Sequence, residues 1–172
     1  FITKARMETL RTLGPSMSPL SAFLFIQGLE TLPLRMDRHC ANTLAVARFL
    51  RDHSAVSWVK YAGLEDNPYH SLARKYLPKG AGGVLTFGIK GGEAAGIKFI
   101  EGAQFLSHLA NVGDAKSLVI HPASTTHHRM DSAALQKAGI SEGLIRLSIG
   151  LEDATDLLAD LKAGLRASQR GL

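Results

Sequence analysis

The sequence has very little cysteine: Cys40 is the single thiol among 172 residues. One cysteine cannot form an internal disulfide, so the chain is not one of the small secreted folds held together by disulfide bonds. A lone free thiol is typical of proteins that work in a reducing compartment. We therefore expect a cytoplasmic location.

Long apolar runs are also lacking. No stretch reaches the roughly 18 uninterrupted apolar residues of a membrane-spanning helix. The first residues, Phe1 to Glu8, do not combine a basic start with an apolar segment, so they do not resemble a secretory signal. They do not begin with Met either, and we expect the chain to be part of a longer protein. No membrane partner is predicted.

Aromatic residues are few, at 6% of the chain, and the net charge is only +5. The basic residues are spread from Lys4 to Arg170, whereas nucleic-acid-binding proteins usually concentrate them on one stripe. Few rings are available for stacking on single strands. Nucleic acid is therefore not a predicted partner.

Complete catalytic and cofactor-binding motifs are missing as well. The segment Gly91–Lys98 has the glycine spacing of a phosphate-binding loop, but Ile97 stands where that loop requires lysine. No G-x-S-x-G sequence exists to expose a nucleophilic serine. We therefore assign no catalytic and no cofactor-binding residue in this chain.

Three histidines and three hydroxyl residues lie together in the segment His121–His128. Zinc sites normally use closer helical pairs or paired cysteines, and no acidic or thiol partner stands at ligand spacing here. We assign no metal ligand. The segment is either a proline-containing active-site loop or an ordinary surface loop.

The spacing of apolar residues predicts helices mixed with strands. Ser18 and Pro19 form a helix start, and Pro33 separates that helix from the next. The predicted helices cover about residues 19–29, 33–53, 68–77, 92–110, 133–137 and 152–165, and the predicted strands about residues 56–61, 84–89, 117–121 and 144–149. This order predicts an α+β fold in which one sheet carries helices on one face.

The last predicted strand separates its two faces clearly. Alternation places Ile145, Leu147 and Ile149 on one face and Arg146 and Ser148 on the other. A guanidinium fixed on a strand is well suited to hold the carboxylate of an amino acid through paired hydrogen bonds. Periodicity alone favours the simpler interpretation, an arginine on a hydrated strand face.

Three motifs resemble one known family. The segments Gly28–Met36, His121–His127 and Gly143–Asp153 are similar, in order and separation, to signatures of the cystathionine and methionine metabolism family of pyridoxal-phosphate enzymes. The similarity extends from about Arg6 to Leu165. It implies a small, mostly antiparallel sheet with helices packed on one face, like the C-terminal small domain of fold-type I pyridoxal-phosphate transferases.

Two further segments resemble the O-acetylhomoserine sulfhydrylase branch of that family. They are Tyr76–Gly92 and Leu109–Leu118, and the lyases usually carry serine where Asn111 stands. The resemblance implies replacement of acetate on O-acetyl-L-homoserine by sulfide or by methanethiol, giving homocysteine or methionine. It leaves the choice of nucleophile open.

The resemblance also implies how the chain divides and what it lacks. Residues 1–17 would connect two domains, residues 18–165 would form the C-terminal domain, and residues 166–172 would be a frayed tail. Pyridoxal phosphate would bind a lysine of the larger N-terminal domain in the full-length enzyme. We expect this chain alone to bind no cofactor and to be inactive, and the full-length protein to form a homotetramer.

On the substrate side, Arg146 matches the arginine that binds the α-carboxylate of the substrate in this family. Asn111 matches a polar residue that helps to orient the substrate. Two alternatives stay open. One is a methionine γ-lyase or cystathionine-type lyase of the same family, and the other is a non-catalytic α+β binding or assembly module.

Overall fold

The structure is a computed structural model that describes residues 1–171. The chain divides into two compact units, Phe1–Leu34 and the residues from Arg35 onward. The first unit is helical. Its elements are α1 (Ile2–Lys4), a π-helical segment (Ala5–Leu10), α2 (Arg11–Leu13) and α3 (Pro19–Glu30).

Helix α3 begins as the sequence predicts, with Ser18 at the N-cap and Pro19 as its first residue. None of its side chains is buried, although the helix is rich in large apolar residues such as Phe23 and Phe25. Large exposed apolar surfaces on a protein usually serve as contact surfaces. The predicted division at residue 18, between a connecting segment and a domain, stays a prediction.

The second unit contains the sheet. Helix α4 (Leu32–Arg51) leads into it from the first unit. The remaining elements, in chain order, are β1 (Val56–Lys60), α5 (His70–Tyr76), β2 (Val84–Ile89), α6 (Gly92–Gly102), β3 (Ser107–His108), β4 (Leu118–Ile120), a 3₁₀ turn (Pro122–Ser124), α7 (Ser132–Lys137), β5 (Leu144–Ser148) and α8 (Ala154–Ser168).

The five strands form one sheet in the order β1-β2-β5-β4-β3. All neighbouring pairs are antiparallel except β3 and β4, which run parallel. The central strand β5 aligns Arg146 with Thr86 on one side and with Ile120 on the other. The predicted α+β fold with a mostly antiparallel sheet is confirmed.

One face of the sheet carries the core. Leu85 and Phe87 of β2 and Ile145 and Leu147 of β5 are essentially inaccessible to solvent. Helices α4, α6 and α8 supply the opposing side chains of the same core. Phe99 of α6 meets the ring of Phe87 edge to face, with the ring centroids 5.5 Å apart. The helices therefore cover the face that the alternation in β5 predicts to be apolar.

The helix predicted over residues 92–110 is too long. Helix α6 ends at Gly102, and Ala103 is extended. The carboxylate of Asp160 accepts hydrogen bonds from the backbone N–H groups of Gln104 and Leu106, which a continuing helix would use within itself. Leu106 is still buried, but from a loop. Sequence analysis therefore missed β3, which follows this loop.

The intervals of three and four between Met36, Cys40, Leu44, Ala47 and Leu50 predict an apolar stripe on α4, and the buried face matches it only in part. Met36, on the predicted stripe, is exposed, and Cys40 is only half-buried. The buried residues of α4 are His39, Asn42, Thr43, Val46, Ala47 and Leu50. Half of this face is polar, because its first part contacts backbone carbonyls instead of the apolar core.

The last helix passes the predicted end of the domain at Leu165. It continues to Ser168, whose side chain is buried and whose hydroxyl donates to the carbonyl of Leu165. Residues 166–168 of the predicted frayed tail therefore belong to α8. Position 172 of that tail lies outside the described residues.

The packing of Phe99 provides a test of this core. We expect Phe99→Ala to lower the free energy of unfolding of the chain by about 3–5 kcal/mol, because the substitution leaves a cavity against Phe87. Ile97→Ala is a matched control, since Ile97 is exposed on the same helix and should cost within about 1 kcal/mol. Denaturant unfolding followed by circular dichroism measures both. Equal losses would contradict the described packing of α6.

Candidate functional site

Arg146 lies at the centre of β5, on the sheet face opposite the core. Its neighbours Ile145 and Leu147 are fully buried on the core side, whereas Arg146 itself is half-buried. Directly paired residues of antiparallel strands share a face, so Arg146 lies in a row with Thr86 and Ile120. Buried flanking residues on both sides hold the backbone of this arginine in place.

The structure brings the two predicted substrate-binding residues together. Nη2 of Arg146 donates a hydrogen bond to the backbone carbonyl of Asn111, at 3.2 Å. The side chain of Asn111 is exposed, and its Oδ1 accepts from the N–H of Val112 at 2.9 Å. Asn111 thus holds the arginine through its backbone carbonyl, while its exposed side-chain amide is turned to the N–H of Val112.

A guanidinium has several N–H donors in one plane. Within residues 1–171, the bond to Asn111 is the hydrogen bond that the structure gives to Arg146. Donors therefore remain for a carboxylate, which accepts two parallel bonds from such a fork. The arrangement is able to bind and orient an α-carboxylate.

The loop that carries Asn111 connects β3 to β4 and is fixed at several points. The N–H of Gly113, a residue with φ 75°, donates to Oγ of Ser148 on β5. Further along, the carbonyl of Ala115 accepts from the N–H of Leu151 at 2.9 Å. These bonds tie the loop to the end of the strand that carries Arg146.

The carboxylate of Glu152 fixes the far end of the same loop. Its Oε1 accepts from the backbone N–H of Ser117, and its Oε2 accepts from the Ser117 hydroxyl at 2.8 Å. The same hydroxyl accepts from the N–H of Gly150 at 2.7 Å. A Cβ on Gly150 would lie 2.3 Å from the carbonyl oxygen of Ala115, so only glycine fits this approach.

Polar residues of α4 hold the chain that follows β5. Nδ1 of His39 donates to the carbonyl of Ile149 at 2.6 Å, and Nδ2 of Asn42 donates to the carbonyls of Gly150 and Glu152. Both side chains are buried, so these bonds replace the water that the carbonyls would otherwise bind. Neither residue was predicted from the sequence to have a role, although polar residues that interrupt an apolar stripe are a signal of such buried contacts.

Helix α8 starts at Ala154, two residues later than the start predicted at Glu152. Asp153 is its N-cap, and the carboxylate accepts from the N–H of Thr155. The hydrogen bonds from the backbone and hydroxyl of Thr155, together with the nearby guanidinium of Arg38, lower the pKa of Asp153. Because Asp153 is the N-cap of α8, the carboxylate of Glu152 does not cap this helix and contacts Ser117 instead.

Within the histidine-rich segment, His121 is an internal support, whereas His127 is half-buried and His128 is exposed. His121 is fully buried, with Nε2 donating to the carbonyl of Glu142 at 2.6 Å and Nδ1 lying 2.8 Å from Oγ of Ser124. Its ring packs directly on Gly96 of α6, where a Cβ would lie 2.5 Å from Nε2. Among residues 1–171, no three His, Cys, Asp or Glu side chains gather closely enough to hold a metal ion.

The lysines of the chain do not fit the covalent attachment of an aldehyde cofactor. Lys98 is half-buried and donates to the carbonyl of Arg170, while the other lysines are exposed. A lysine that forms a Schiff base normally lies in a desolvated or cation-rich pocket that activates its amine. Among residues 1–171, the guanidinium of Arg146 thus has donors suited to a carboxylate, and none of the lysines lies in such an activating pocket.

A separate cavity of about 380 Å³ lies between α4 and α5. Cys40 and Tyr61 line it, together with His70 and Leu77. The phenol of Tyr61 is buried and donates to the carbonyl of Gly82 at 2.9 Å. Burial raises the pKa of Tyr61 to about 12, and the charge of Cys40 adds to the shift.

Comparison with known proteins identifies the family. The model of the family described as "Cys/Met metabolism PLP-dependent enzyme" matches residues 2–166. The chain belongs to this family of pyridoxal-phosphate-dependent enzymes. Members of the family use pyridoxal phosphate in their full-length form.

Individual relatives agree with this assignment. The chain is 49% identical to the O-acetyl-L-homoserine sulfhydrylase of Leptospira meyeri and 45% identical to the L-methionine gamma-lyase of Pseudomonas deceptionensis, covering 96% and 95% of this chain. It spans only about two fifths of these relatives, 38% and 41% of their lengths.

A solved structure from Campylobacter jejuni, named as an O-acetylhomoserine (thiol)-lyase, superposes with a TM-score of 0.85 at 44% identity. That protein carries a pyridoxyl-lysine phosphate, and the match covers 95% of this chain and 39% of that one. In the part of this chain that the structure describes, no helix has the length and apolar character needed to cross a bilayer.

The buried phenol provides a test of the cavity by pH. An unfolded tyrosine ionises near pH ~10, so the folded chain keeps the proton of Tyr61 between pH ~10 and about 12. The stability that Tyr61 contributes is complete below this window and is lost as the pH rises through it. We expect the ultraviolet absorbance of tyrosinate to show a step near pH 12 that Tyr61→Phe removes and Tyr76→Phe keeps. Complete ionisation of all tyrosines near pH ~10 would contradict the burial of this phenol.

Proposed function

We propose that this chain is the substrate-orienting part of a pyridoxal-phosphate-dependent O-acetylhomoserine sulfhydrylase. The observation that carries the proposal is the guanidinium of Arg146, which is fixed on the central strand and hydrogen-bonded to Asn111. The family membership and the sulfhydrylase among the relatives support the same activity.

In the proposed reaction, a sulfur nucleophile replaces the acetate group of O-acetyl-L-homoserine. The nucleophile is sulfide or methanethiol, and the products are acetate and homocysteine or methionine. Pyridoxal phosphate, when bound in the full-length enzyme, supplies the electron sink for this chemistry. Residues of this chain contribute binding and orientation.

Arg146 binds the α-carboxylate of the substrate in this proposal. Arginine stays charged at every relevant pH, and its planar fork fixes the orientation of a carboxylate as well as its position. Buried Ile145 and Leu147 hold its backbone, so little conformational freedom is lost on binding. The exposed amide of Asn111 then contacts the substrate beside the arginine.

The proposal also covers the rest of the full-length protein, its oligomeric state and its location. The relatives are more than twice as long as this chain, which supports a further domain that holds the cofactor lysine. We propose a homotetramer for the full-length enzyme and a cytoplasmic location. The chain alone would then be inactive.

A γ-lyase is the second candidate, because a relative at 45% identity is named L-methionine gamma-lyase. The two activities differ in what they require. A sulfhydrylase consumes O-acetylhomoserine only when a sulfur donor is present, whereas a γ-lyase releases methanethiol from methionine alone. Assays of the full-length protein with each substrate separate them, and loss of both activities would favour a non-catalytic module.

The role of Arg146 is tested in the full-length enzyme. We expect Arg146→Lys to raise KM for O-acetylhomoserine by about tenfold or more, because lysine cannot form two parallel bonds to a carboxylate. Arg166→Lys is a matched control on the exposed side of α8 and should leave KM unchanged. Steady-state kinetics measure both. An unchanged KM in Arg146→Lys would remove this residue from the substrate site.

The missing cofactor attachment is tested with the chain itself. We expect the 172 residues, mixed with pyridoxal phosphate and then dialysed, to show no visible absorbance of a lysine aldimine, because no lysine lies in an activating pocket. The full-length enzyme treated in the same way should keep a yellow colour. A yellow preparation of the short chain would place the cofactor lysine within it.

A further inference from the structure

The carboxylate of Glu152 ties the chain that follows β5 to the loop carrying Asn111. Both of its oxygens are used on Ser117, one by the backbone N–H and one by the hydroxyl. Ser117 is almost fully buried, and it directly precedes β4. The two residues are 35 positions apart in sequence, so this contact is purely tertiary.

The loop of residues 111–117 connects this contact to the arginine. Ser117 ends the loop that begins near Asn111, and the carbonyl of Asn111 accepts from Arg146. In between, Ala115 and Gly113 are bonded to Leu151 and Ser148, which flank the same end of β5. The loop is therefore held at its far end by Glu152 and along its length by the strand.

We propose that Glu152 is a positioning residue for the carboxylate site: through Ser117 it fixes the loop 111–117, and the carbonyl of Asn111 in turn fixes the guanidinium of Arg146. This inference rests on the proposed function of Arg146. Glu152 does not touch the substrate. Its effect is to set the direction in which the remaining N–H donors of the arginine point.

The contact with Ser117 suits a carboxylate better than an amide. A carboxylate accepts at both oxygens, whereas the amide of glutamine accepts at only one atom and donates at the other. Glu152→Gln therefore keeps the size of the side chain but cannot accept from both the N–H and the hydroxyl of Ser117, and the charge that strengthens both bonds is lost. Ser117→Ala removes the hydroxyl at the other end and also leaves the N–H of Gly150 without its acceptor.

Asp160 offers a matched control. Its carboxylate also accepts two backbone N–H groups, those of Gln104 and Leu106, at 2.8 and 3.0 Å. Like Glu152, Asp160 therefore fixes a loop through hydrogen bonds to its carboxylate, but this loop follows α6. Asp160→Asn should lower thermal stability without acting on the carboxylate site.

The experiment measures how well the full-length enzyme distinguishes O-acetyl-L-homoserine from its α-carboxamide, which lacks the negative charge. We expect Glu152→Gln and Ser117→Ala to reduce this discrimination in kcat/KM by about tenfold, mainly through a higher KM for the carboxylate substrate. Asp160→Asn should keep the discrimination of the unmodified enzyme even where its Tm falls.

The outcomes separate the two proposals. If Arg146→Lys leaves the discrimination intact, the proposed function of this arginine fails. If Arg146→Lys abolishes the discrimination while Glu152→Gln and Ser117→Ala preserve it, only the positioning role of Glu152 is overturned. A uniform loss for both substrates in Glu152→Gln, equal to that in Asp160→Asn, would reduce Glu152 to a stabilising contact. If Glu152→Gln does not fold, Ser117→Ala decides the question by the same measurement.

Discussion

The pairing of β5 with β2 and β4 is the constraint on which the rest of the structure depends. Antiparallel pairing on both sides fixes the register of this strand, and a shift by one residue would exchange its two faces. Burial of Ile145 and Leu147 against the helices makes such a shift costly, because it would drive Arg146 into the core. The apolar side of the sheet thus determines where the charged group stands.

The two loops at the end of β5 are organised by hydrogen bonds to their backbone groups. Side chains from α4, from the turn after β5 and from β5 itself bind carbonyl and N–H groups of two loops. Loops usually lie on the surface, where water binds such backbone groups. Here buried polar side chains satisfy them, so the loop beside Arg146 has one well-defined path.

The features that depend on local sequence patterns could be predicted from the sequence. The period of two in β5 predicted which face of the strand carries Arg146, and the caps at Ser18 and Pro19 predicted the start of α3. The end of α6 was not predictable in this way, because Leu106 continues the apolar spacing and the competing acceptor, Asp160, lies 54 positions away. The buried polar face of α4 was not predictable for the same reason. Its partners are carbonyls of residues about 110 positions further along the chain.

The hydrogen bond between Arg146 and position 111 uses a main-chain oxygen. Any amino acid at that position presents the same oxygen, so the hold on the arginine does not depend on which side chain is present. The amide of Asn111, in contrast, is exposed, and the hydrogen bond described for it joins the N–H of Val112 and not the guanidinium. If Arg146 binds a carboxylate as proposed, the side chain at position 111 can therefore differ without removing the main-chain acceptor that holds this guanidinium.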